Sequence, residues 1–250
     1  MDGHTSFRMD GRVVCVTGAA IGIGAAIARA FSDAGGDVYL LDIDEESGES
    51  SARDVGTFLP CDVTSPESIA SALGRIESDH GRLDVLVNNA GGFGSQSTSE
   101  TLEPEEWRRL IDLNLTSVFL VCRAAIPLLR AGTDARIVNV GSLAGQTAGY
   151  RTSPAYAAAK AGVHSYSRVL AHELAADGIT VNAIAPSAVL TERITEVRTP
   201  EEREATARSI PLGRYQTPDE LASWVVFLST AEAGFVTGET VAVNGGRFMA

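Results

Sequence analysis

Short apolar runs rich in valine and isoleucine alternate along the chain with longer amphipathic segments. A nearly continuous apolar run is typical of a strand that is buried on both faces, as in a parallel sheet covered by helices. We therefore predict strands in seven runs: 12–17, 37–42, 57–63, 84–90, 136–142, 179–186 and 240–246.

Helix start signals stand between these runs. "TSPE" (64–67) and "TPDE" (217–220) place Pro just inside the start and Glu three residues after Thr, which resembles a capping box. Ser153 and Pro154 predict the start of a helix that runs to about Asp177, where Gly178 favours a stop.

Regular alternation of strands and helices predicts a single-domain Rossmann fold over residues 1–250, with a doubly wound seven-stranded parallel sheet flanked by helices. The polar stretch at about 187–213 interrupts the last crossover. We expect it to be irregular and flexible, and to act as a substrate lid.

Composition narrows the function classes. With 44% hydrophobic residues the 250-residue chain can bury a sizeable core, while its net charge of −12 argues against nucleic acid or an anionic membrane as the main partner. No signal peptide or membrane-spanning run is recognisable, and the three cysteines each lie in an apolar run, which favours reduced thiols in a cytoplasmic protein. No metal-binding spacing of histidines is present.

The first strand is followed by "TGAAIGIG" (17–24), which contains Gly18, Gly22 and Gly24. Glycines at these positions allow a tight turn, and the next helix can direct its N-terminus at a pyrophosphate. A purely structural turn is the alternative.

Asp42 ends the second strand, where a carboxylate can accept hydrogen bonds from the adenosine ribose hydroxyls. It would also repel a 2′-phosphate, and "LLDIDEES" contains no Lys or Arg that would attract one. We therefore predict NAD rather than NADP as cofactor. The alternative is that Asp42 only caps the following helix.

Two further strand ends carry candidate binding residues. Asp62 could hydrogen-bond the adenine amino group, or could be only a turn residue. In "NNAG" (88–91), Asn89 could tie neighbouring strand ends together, while the small Ala90 and Gly91 leave room for a ribose. A purely structural role for the two asparagines is also open.

Tyr156 and Lys160 lie four residues apart in "YAAAK", so they share one face near the start of their helix. They are either ordinary surface residues or an acid–base pair. An ammonium about 4 Å from a phenol contributes about 1 kcal/mol in water but about 4 kcal/mol at an effective dielectric constant near 20. The pair is therefore useful only in a partly dehydrated pocket, where Lys160 would lower the pKa of Tyr156.

Taken together, the chain resembles the short-chain dehydrogenase/reductase family over nearly its whole length. The resemblance rests on "TGAAIGIG", "NNAG", Asn114 in "LNLTSVF", Ser142 in "VNVGSLAG", "YAAAK" and "TGETVAVNGG".

This resemblance implies a nicotinamide-dependent enzyme without a metal, since hydride moves directly between substrate and cofactor. Tyr156 would exchange a proton with the substrate oxygen, and Ser142 would polarise that oxygen. Lys160 would bind the nicotinamide ribose, and Asn114 would hold a water that links Lys160 to solvent. The implied cofactor contacts are Gly18, Ala20, Ile21, Gly22, Ile23, Gly24, Asp42, Ile43, Asp62, Val63, Asn89, Ala90, Gly91, Tyr156, Lys160, Pro186, Val189 and Thr191.

The chain departs from the family pattern in two places. Ser187 replaces the Gly that usually follows Pro186. Relatives that reduce 3-oxoacyl groups on acyl carrier protein tend to present basic residues beside the pocket, whereas this chain has Thr133 and Asp177 at the matching positions.

Three functions are therefore compared. We predict an NAD-dependent oxidoreductase that interconverts a secondary alcohol and a ketone. The alternative is a 3-oxoacyl thioester reductase that acts on acyl carrier protein or CoA derivatives. A non-catalytic NAD-binding regulator is disfavoured because Ser142, Tyr156 and Lys160 are all present. Gln146, Tyr150 and Gln216 are expected near a small-molecule substrate that the sequence does not identify.

The segment from about 104 to 131 is apolar on most faces of a helix. Such a helix must be covered on both sides. The sheet covers one side, and a second subunit could cover the other, so we expect a homotetramer as is common in the family. The alternative is a helix buried under its own neighbours.

Overall fold

The computed structural model describes residues 7–148 and 152–249, which form a seven-stranded parallel sheet with helices on both faces. The strand order is β3-β2-β1-β4-β5-β6-β7, so the predicted doubly wound sheet is confirmed. The strands are β1 (Val13–Thr17), β2 (Asp37–Asp42), β3 (Gly56–Pro60), β4 (Val85–Asn88), β5 (Arg136–Val140), β6 (Thr180–Pro186) and β7 (Thr240–Val243). The α-helices are α1 (Gly22–Asp33), α2 (Glu45–Ala52), α3 (Pro66–His80), α4 (Pro104–Ile111), α5 (Ser117–Arg130), α6 (Pro154–Leu174), α7 (Glu192–Val197), α8 (Pro200–Arg208) and α9 (Pro218–Leu228).

Two hydrophobic clusters cover the two faces of the sheet. Helices α1 and α9 pack together in one cluster, which includes the buried Phe31 and Val225. Helices α3, α5 and α6 contribute to the other, which includes Ile76, Val121 and Leu170. Strand β1 lies between β2 and β4, so the chain reverses its winding direction there. Open α/β sheets bind ligands in the crevice that this reversal leaves at the carboxyl ends of the strands.

The predicted helix boundaries are mostly confirmed. Thr217 and Glu220 form the capping box of α9. At α3, however, the cap is Ser65, whose side chain accepts a hydrogen bond from the Ser68 backbone N–H, and not Thr64. Helix α6 begins at Pro154 but gains no side-chain cap from Ser153.

The apolar segment 104–131 is one helical rod with an irregular centre. Helices α4 and α5 are joined by a π-helical segment, Asp112–Thr116. Pro104–Arg130 is long and apolar enough to cross a membrane by length and composition alone, but the core helix of a globular fold meets the same criterion. Here α4 packs against α6, and α5 packs against α3 and β4.

The segment 187–213 is more regular than expected. It contains α7 and α8, and α8 begins with a capping box formed by Thr199 and Glu202. Its base is fixed to the loop before α9, because the Leu190 N–H donates to the Gln216 carbonyl at 2.9 Å. The expectation of an irregular segment is therefore wrong. The segment contains two short polar helices, of which α8 is stabilised by its capping box and α7 has no side-chain cap.

Candidate active site

The glycine turn lies at the carboxyl end of β1, in the crevice beside β4. Gly18 has a φ of 64°, and a Cβ at this position would come within 2.6 Å of the Ala90 Cα. A Cβ at Gly24 would overlap the Gly18 carbonyl. Side chains at both positions are therefore excluded by close backbone packing.

Helix α1 begins at this turn without a side-chain cap and without an acidic residue in its first turn. Within the described part of the chain, no side chain caps the first backbone N–H groups of α1, which suits an anionic oxygen such as that of a diphosphate. This arrangement fits a dinucleotide.

Asp42 is bound to the glycine turn. Its Oδ2 accepts from the Ala20 N–H at 3.0 Å, and its Oδ1 accepts from the Asp44 N–H at 3.1 Å. The cap of α2 is Asp44, which accepts from the Ser47 N–H, so the alternative that Asp42 caps this helix is wrong. The Asp42 carboxylate thus marks the end of β2 at the crevice.

The candidate residues that follow β3 and β4, Asp62 and Asn89, make different kinds of contact. Asp62 accepts hydrogen bonds from the backbone N–H and the hydroxyl of Thr64, so it forms a turn whatever else it does. Asn89 donates from Nδ2 to the carbonyls of Thr17 at 3.0 Å and Gly18 at 2.8 Å. Asn89 thereby ties the end of β4 to the end of β1.

Ser142, Tyr156 and Lys160 come together where β5 and α6 meet the crevice. Tyr156 hydrogen-bonds the Ser142 side chain, and the Ser142 Oγ also accepts from the Ala144 N–H at 3.1 Å. The Lys160 Nζ donates to the Val140 carbonyl at 2.8 Å and lies 5.7 Å from the centroid of the Tyr156 ring. The predicted grouping of these three side chains is therefore found in the structure.

The pKa shifts of this group are set mainly by burial. The pKa of Tyr156 is raised, because burial of the hydroxyl outweighs the stabilising hydrogen bond from Ser142. This direction is opposite to the expected one. Burial also lowers the pKa of Lys160 from its ordinary value of 10.5 to about 8. Tyr156 is accordingly a protonated phenol at neutral pH, ready to donate its proton.

Asn114 is the buried centre of the π-helical segment. Its Oδ1 accepts from the Gly92 N–H at 3.1 Å, and its Nδ2 donates to the carbonyls of Gly92 at 3.0 Å and Leu110 at 2.9 Å. A Cβ at Gly91 would lie 2.6 Å from the Asn114 Oδ1 and 3.6 Å from the Lys160 Nζ. Asn114 thus fixes the loop after β4 directly beside Lys160.

His164 also lies in this site, although no sequence motif points to it. It lies one turn beyond Lys160 on α6, is 4% exposed, and accepts at Nε2 from the Ser142 N–H at 3.4 Å. A Cβ at Gly141 would overlap its ring, and one at Gly145 would lie 2.9 Å from it. Burial is the main reason that its pKa is lowered to about 4, so it is neutral at ordinary pH. The helical spacing of Tyr156, Lys160 and His164 was the available signal.

The chain after β6 borders the same crevice. Pro186 ends β6, and the Ser187 hydroxyl donates to the Asn244 carbonyl at 3.0 Å, so the residue that replaces the usual Gly ties this turn to the chain after β7. The Thr191 Cγ2 lies 3.5 Å from the position of a Cβ at Gly22. Val189 is buried and forms an isolated bridge with Gln216.

The remaining residues predicted to contact the cofactor or the substrate differ in solvent exposure. Ile21 and Ile43 are exposed at 55% and 72%, whereas Ala20 and Val63 are buried. Ile23 is partly buried against the cluster that contains α1. Tyr150 lies outside the described residues. In the described ranges, 7–148 and 152–249, no group of three or more His, Cys, Asp or Glu side chains is placed to hold a metal ion.

Together, the sheet reversal, the glycine turn with its uncapped helix, and the Ser142–Tyr156–Lys160 group define an α/β oxidoreductase of the dinucleotide-binding class. Comparison with known proteins gives the family. A family model described as "Enoyl-(Acyl carrier protein) reductase" matches residues 18–247. The chain belongs to the short-chain dehydrogenase/reductase family, and it is an NAD(P)-dependent oxidoreductase.

Named relatives cover almost the whole chain. It is 39% identical over 249 residues to "3-oxoacyl-[acyl-carrier-protein] reductase FabG" of Vibrio cholerae, covering 97% of this chain and 99% of the relative. It is 39% identical over 241 residues to "Acetoacetyl-CoA reductase" of Shinella zoogloeoides, covering 95% and 99%. Among solved structures, the "Pseudomonas aeruginosa RhlG/NADP active-site complex" is similar with a TM-score of 0.91 at 32% identity, covering 98% of this chain and 99% of that one.

Proposed function

We propose that this enzyme interconverts a secondary alcohol and a ketone by direct hydride transfer to or from a nicotinamide dinucleotide. The observation that carries the proposal is the Tyr156 hydroxyl, which is hydrogen-bonded to Ser142 one helical turn from the Lys160 ammonium. The cofactor supplies or accepts the hydride, and the chain's own residues handle the proton and orient the reactants.

In the direction of reduction, Tyr156 donates its proton to the carbonyl oxygen as negative charge develops there. The raised pKa of Tyr156 keeps the phenol protonated for this step. Ser142 donates a hydrogen bond to the same oxygen and thereby stabilises the charge. Lys160 holds the ribose hydroxyls next to the nicotinamide, and Asn114 keeps the loop that carries Gly91 and Gly92 in place.

For the cofactor we propose NAD, together with the predicted contacts at 18–24, 42–43, 62–63, 89–91, 186, 189 and 191. A 2′-phosphate at the end of β2 would meet Asp42 beside Asp44, and residues 18–24 and 42–48 contain no Lys or Arg to neutralise it. The similar RhlG structure contains NADP, so the cofactor preference has to be measured for this chain.

The cofactor test uses Asp42→Ala with Asp44→Ala as its matched control. Both variants remove one negative charge near the end of β2, but the Asp44 carboxylate caps α2. We expect Asp42→Ala to weaken NADH binding. It should also shift the NADPH-to-NADH affinity ratio at least about fivefold further than the control does, since a charge near a phosphate is worth about 1–4 kcal/mol. Equal ratios in both variants would contradict the NAD assignment.

A second candidate substrate class is the 3-oxoacyl thioesters, and the names of the relatives favour it. Of the two thioester carriers we propose CoA, because an acidic carrier protein would need a basic docking surface on this chain. The net charge is −12, and the Arg130 guanidinium is already paired with Asp177 at 2.8 Å. Thr133 adds no positive charge to the surface around Arg130 and Asp177. This surface therefore offers little electrostatic attraction to an acidic protein.

The substrate experiment measures NADH and NADPH oxidation with acetoacetyl-CoA, with acetoacetyl-acyl carrier protein and with a panel of simple ketones, and NAD reduction with the matching secondary alcohols. Turnover of any of these by the intact chain supports the oxidoreductase proposal. We expect CoA derivatives to be used with higher kcat/KM than carrier-protein derivatives. The reverse order would overturn the CoA assignment, and no turnover across the panel would count against the alcohol–ketone proposal.

We further propose that the segment 187–213 is the substrate lid and that the enzyme works as a homotetramer in the cytoplasm. The lid proposal is supported by Thr191 beside Gly22 and by the bridge at Val189. The compartment is supported by Cys15, Cys61 and Cys122, which are all free and buried.

A further inference from the structure

Arg193 projects from the first turn of α7 across the crevice to the loop after β4. Its guanidinium carbon lies 5.0 Å from the centroid of the Phe93 ring. Its Nη1 lies 3.5 Å from the position of a Cβ at Gly92, the residue whose backbone is held by Asn114. The guanidinium is therefore located above the loop that also borders Lys160.

The start of α7 also lies close to the opposite side of the crevice, at the N-terminus of α1. Thr191, two residues before Arg193, lies against Gly22 at the uncapped N-terminus of α1. The start of α7 thus spans the space between the α1 N-terminus and the β4 loop. A ligand that reaches from the glycine turn to the β4 loop would therefore lie close to the start of α7.

The way in which Arg193 is held leaves its hydrogen-bond donors available. The guanidinium lies over the ring of Phe93, and this cation–π contact uses none of its N–H groups in a hydrogen bond to a carboxylate or carbonyl. No residue within 7–148 and 152–249 accepts a hydrogen bond from Arg193 or forms an ion pair with it. Nearby arginines differ, because Arg208 pairs with Glu204 and Arg214 pairs with Glu220.

A guanidinium that makes no hydrogen bond or ion pair within the described residues can donate two parallel hydrogen bonds to a planar carboxylate or a phosphate. The chain carries a net charge of −12, so a cation over the crevice contrasts with its general electrostatic character. We propose that Arg193 binds an anionic oxygen group of the ligand in this crevice, and that this contact holds the lid closed. The group is a cofactor phosphate or a carboxylate or phosphate of the substrate. The inference rests on the proposed function for the location of the crevice.

The first arm of the test is cofactor binding, which needs no turnover. Arg193→Met removes the charge and the donors while retaining an unbranched side chain, and Arg193→Lys keeps the charge without the planar fork. Arg208→Met is the matched control, because it removes an equal charge from an exposed position on α8. The dissociation constant of NADH is measured for each by fluorescence titration.

The second arm uses the Tyr156→Phe background saturated with NADH, and follows the fluorescence change on adding acetoacetate or its neutral ester, ethyl acetoacetate. If the bound anion is a cofactor phosphate, Arg193→Met weakens NADH binding about tenfold relative to Arg208→Met, with Arg193→Lys in between. If the anion belongs to the substrate, NADH binding is unchanged and only the affinity for acetoacetate falls by about that factor.

Two results together would show that the proposal is wrong. The NADH affinity of Arg193→Met would stay within twofold of that of Arg208→Met, and acetoacetate binding in the Tyr156→Phe background would be either unchanged by Arg193→Met or undetectable with and without it. Failure of the proposed function looks different. In that case Tyr156→Phe retains turnover, whereas the NADH titration of Arg193→Met still reports on the cofactor arm by itself.

Discussion

The Lys160 ammonium donates a hydrogen bond to the Val140 carbonyl, and burial of the side chain lowers its pKa to about 8. The value of kcat/KM reports the protonation of the free enzyme. If the ammonium is the form that holds the ribose, kcat/KM for ketone reduction should fall as pH rises through about 8. The folded pKa lies below the unfolded value, so this group also makes the free energy of unfolding rise with pH between about 8 and 10.5.

The measurement is a pH profile of kcat/KM from pH 6 to 10. His164 titrates near pH 4 and the pKa of Tyr156 is raised above its ordinary value of 10, so neither of these groups gives a limb in the middle of this range. A flat profile up to pH 10 would contradict the role given to Lys160.

His164 is predicted to be a positioning residue that acts through Ser142. His164→Leu keeps an apolar side chain of similar size but loses the acceptor for the Ser142 N–H. We expect kcat to fall about tenfold, since a lost buried hydrogen bond costs about 1–2 kcal/mol, while the NADH dissociation constant stays unchanged.

His164→Gln, which restores an acceptor, should recover part of kcat, and His172→Leu at an exposed position of the same helix should have no effect. A common loss of NADH binding and stability in His164→Leu, without rescue by Gln, would indicate a purely structural role.

For single residues, the sequence predicts a functional role when the residue belongs to a recognisable motif or when its partners are near in the chain. Tyr156 and Lys160 are one turn apart, so helical periodicity alone places them together. His164 was missed because its contacts are with Ser142 and two glycines about 20 residues away. Only the fold brings them within 4 Å of each other.

Among the elements, the π-helical segment shows how an irregular helix can build a site. The apolar pattern predicts a continuous helix at 104–131, and a wider turn at Asp112–Thr116 lies within it. Such segments often occur at functional sites. Asn114 is a poor residue for a helix interior, and here its amide group bonds the Gly92 backbone instead of solvent.

Gly91→Ala tests this contact. The added methyl group would lie 2.6 Å from the Asn114 Oδ1, so either the loop or the π-helical segment has to shift. We expect kcat/KM to fall more than tenfold, because small displacements at a reacting centre are costly. Gly74→Ala in α3 meets nothing within 4 Å and serves as the control, with a gain in the free energy of unfolding of up to about 1 kcal/mol. An unchanged kcat/KM in Gly91→Ala would show that the position of this loop does not affect catalysis.

The lid illustrates the limit of hydrophobic periodicity. Helices α7 and α8 contain no buried residues, so they have no apolar stripe from which hydrophobic periodicity could predict them. The local signal was present in "TPEE" (199–202), which resembles the start of α9. Capping chemistry therefore predicts α8, which hydrophobic periodicity misses, whereas α7 has no side-chain cap and no such signal.

For the whole molecule, the strand order follows from the alternation of buried strands with helices, and the crevice follows from the strand order. Both were predictable because right-handed crossovers leave few arrangements for such a chain. The quaternary structure depends on surfaces that periodicity does not resolve. On the rod formed by α4 and α5, Trp107 is 41% exposed and Phe119 is 44% exposed, while Val121 and Cys122 are buried in the core.

These exposed aromatic side chains support the interpretation that a second subunit covers this rod. We predict a mass by light scattering of about four times the 26.2 kDa of one chain. A mass near that of one chain would mean that α4 and α5 are covered sufficiently by their own neighbours.

The most direct test of the account is the turnover of Tyr156→Phe, measured beside Tyr166→Phe. Both variants remove one phenolic oxygen from α6, and the Tyr166 ring makes an edge contact with Phe119. We predict that Tyr156→Phe loses about 100- to 10,000-fold in kcat while its NADH dissociation constant stays within twofold, and that Tyr166→Phe remains active. A Tyr156→Phe enzyme with kcat within a factor of ten of the unaltered chain would contradict proton transfer by Tyr156.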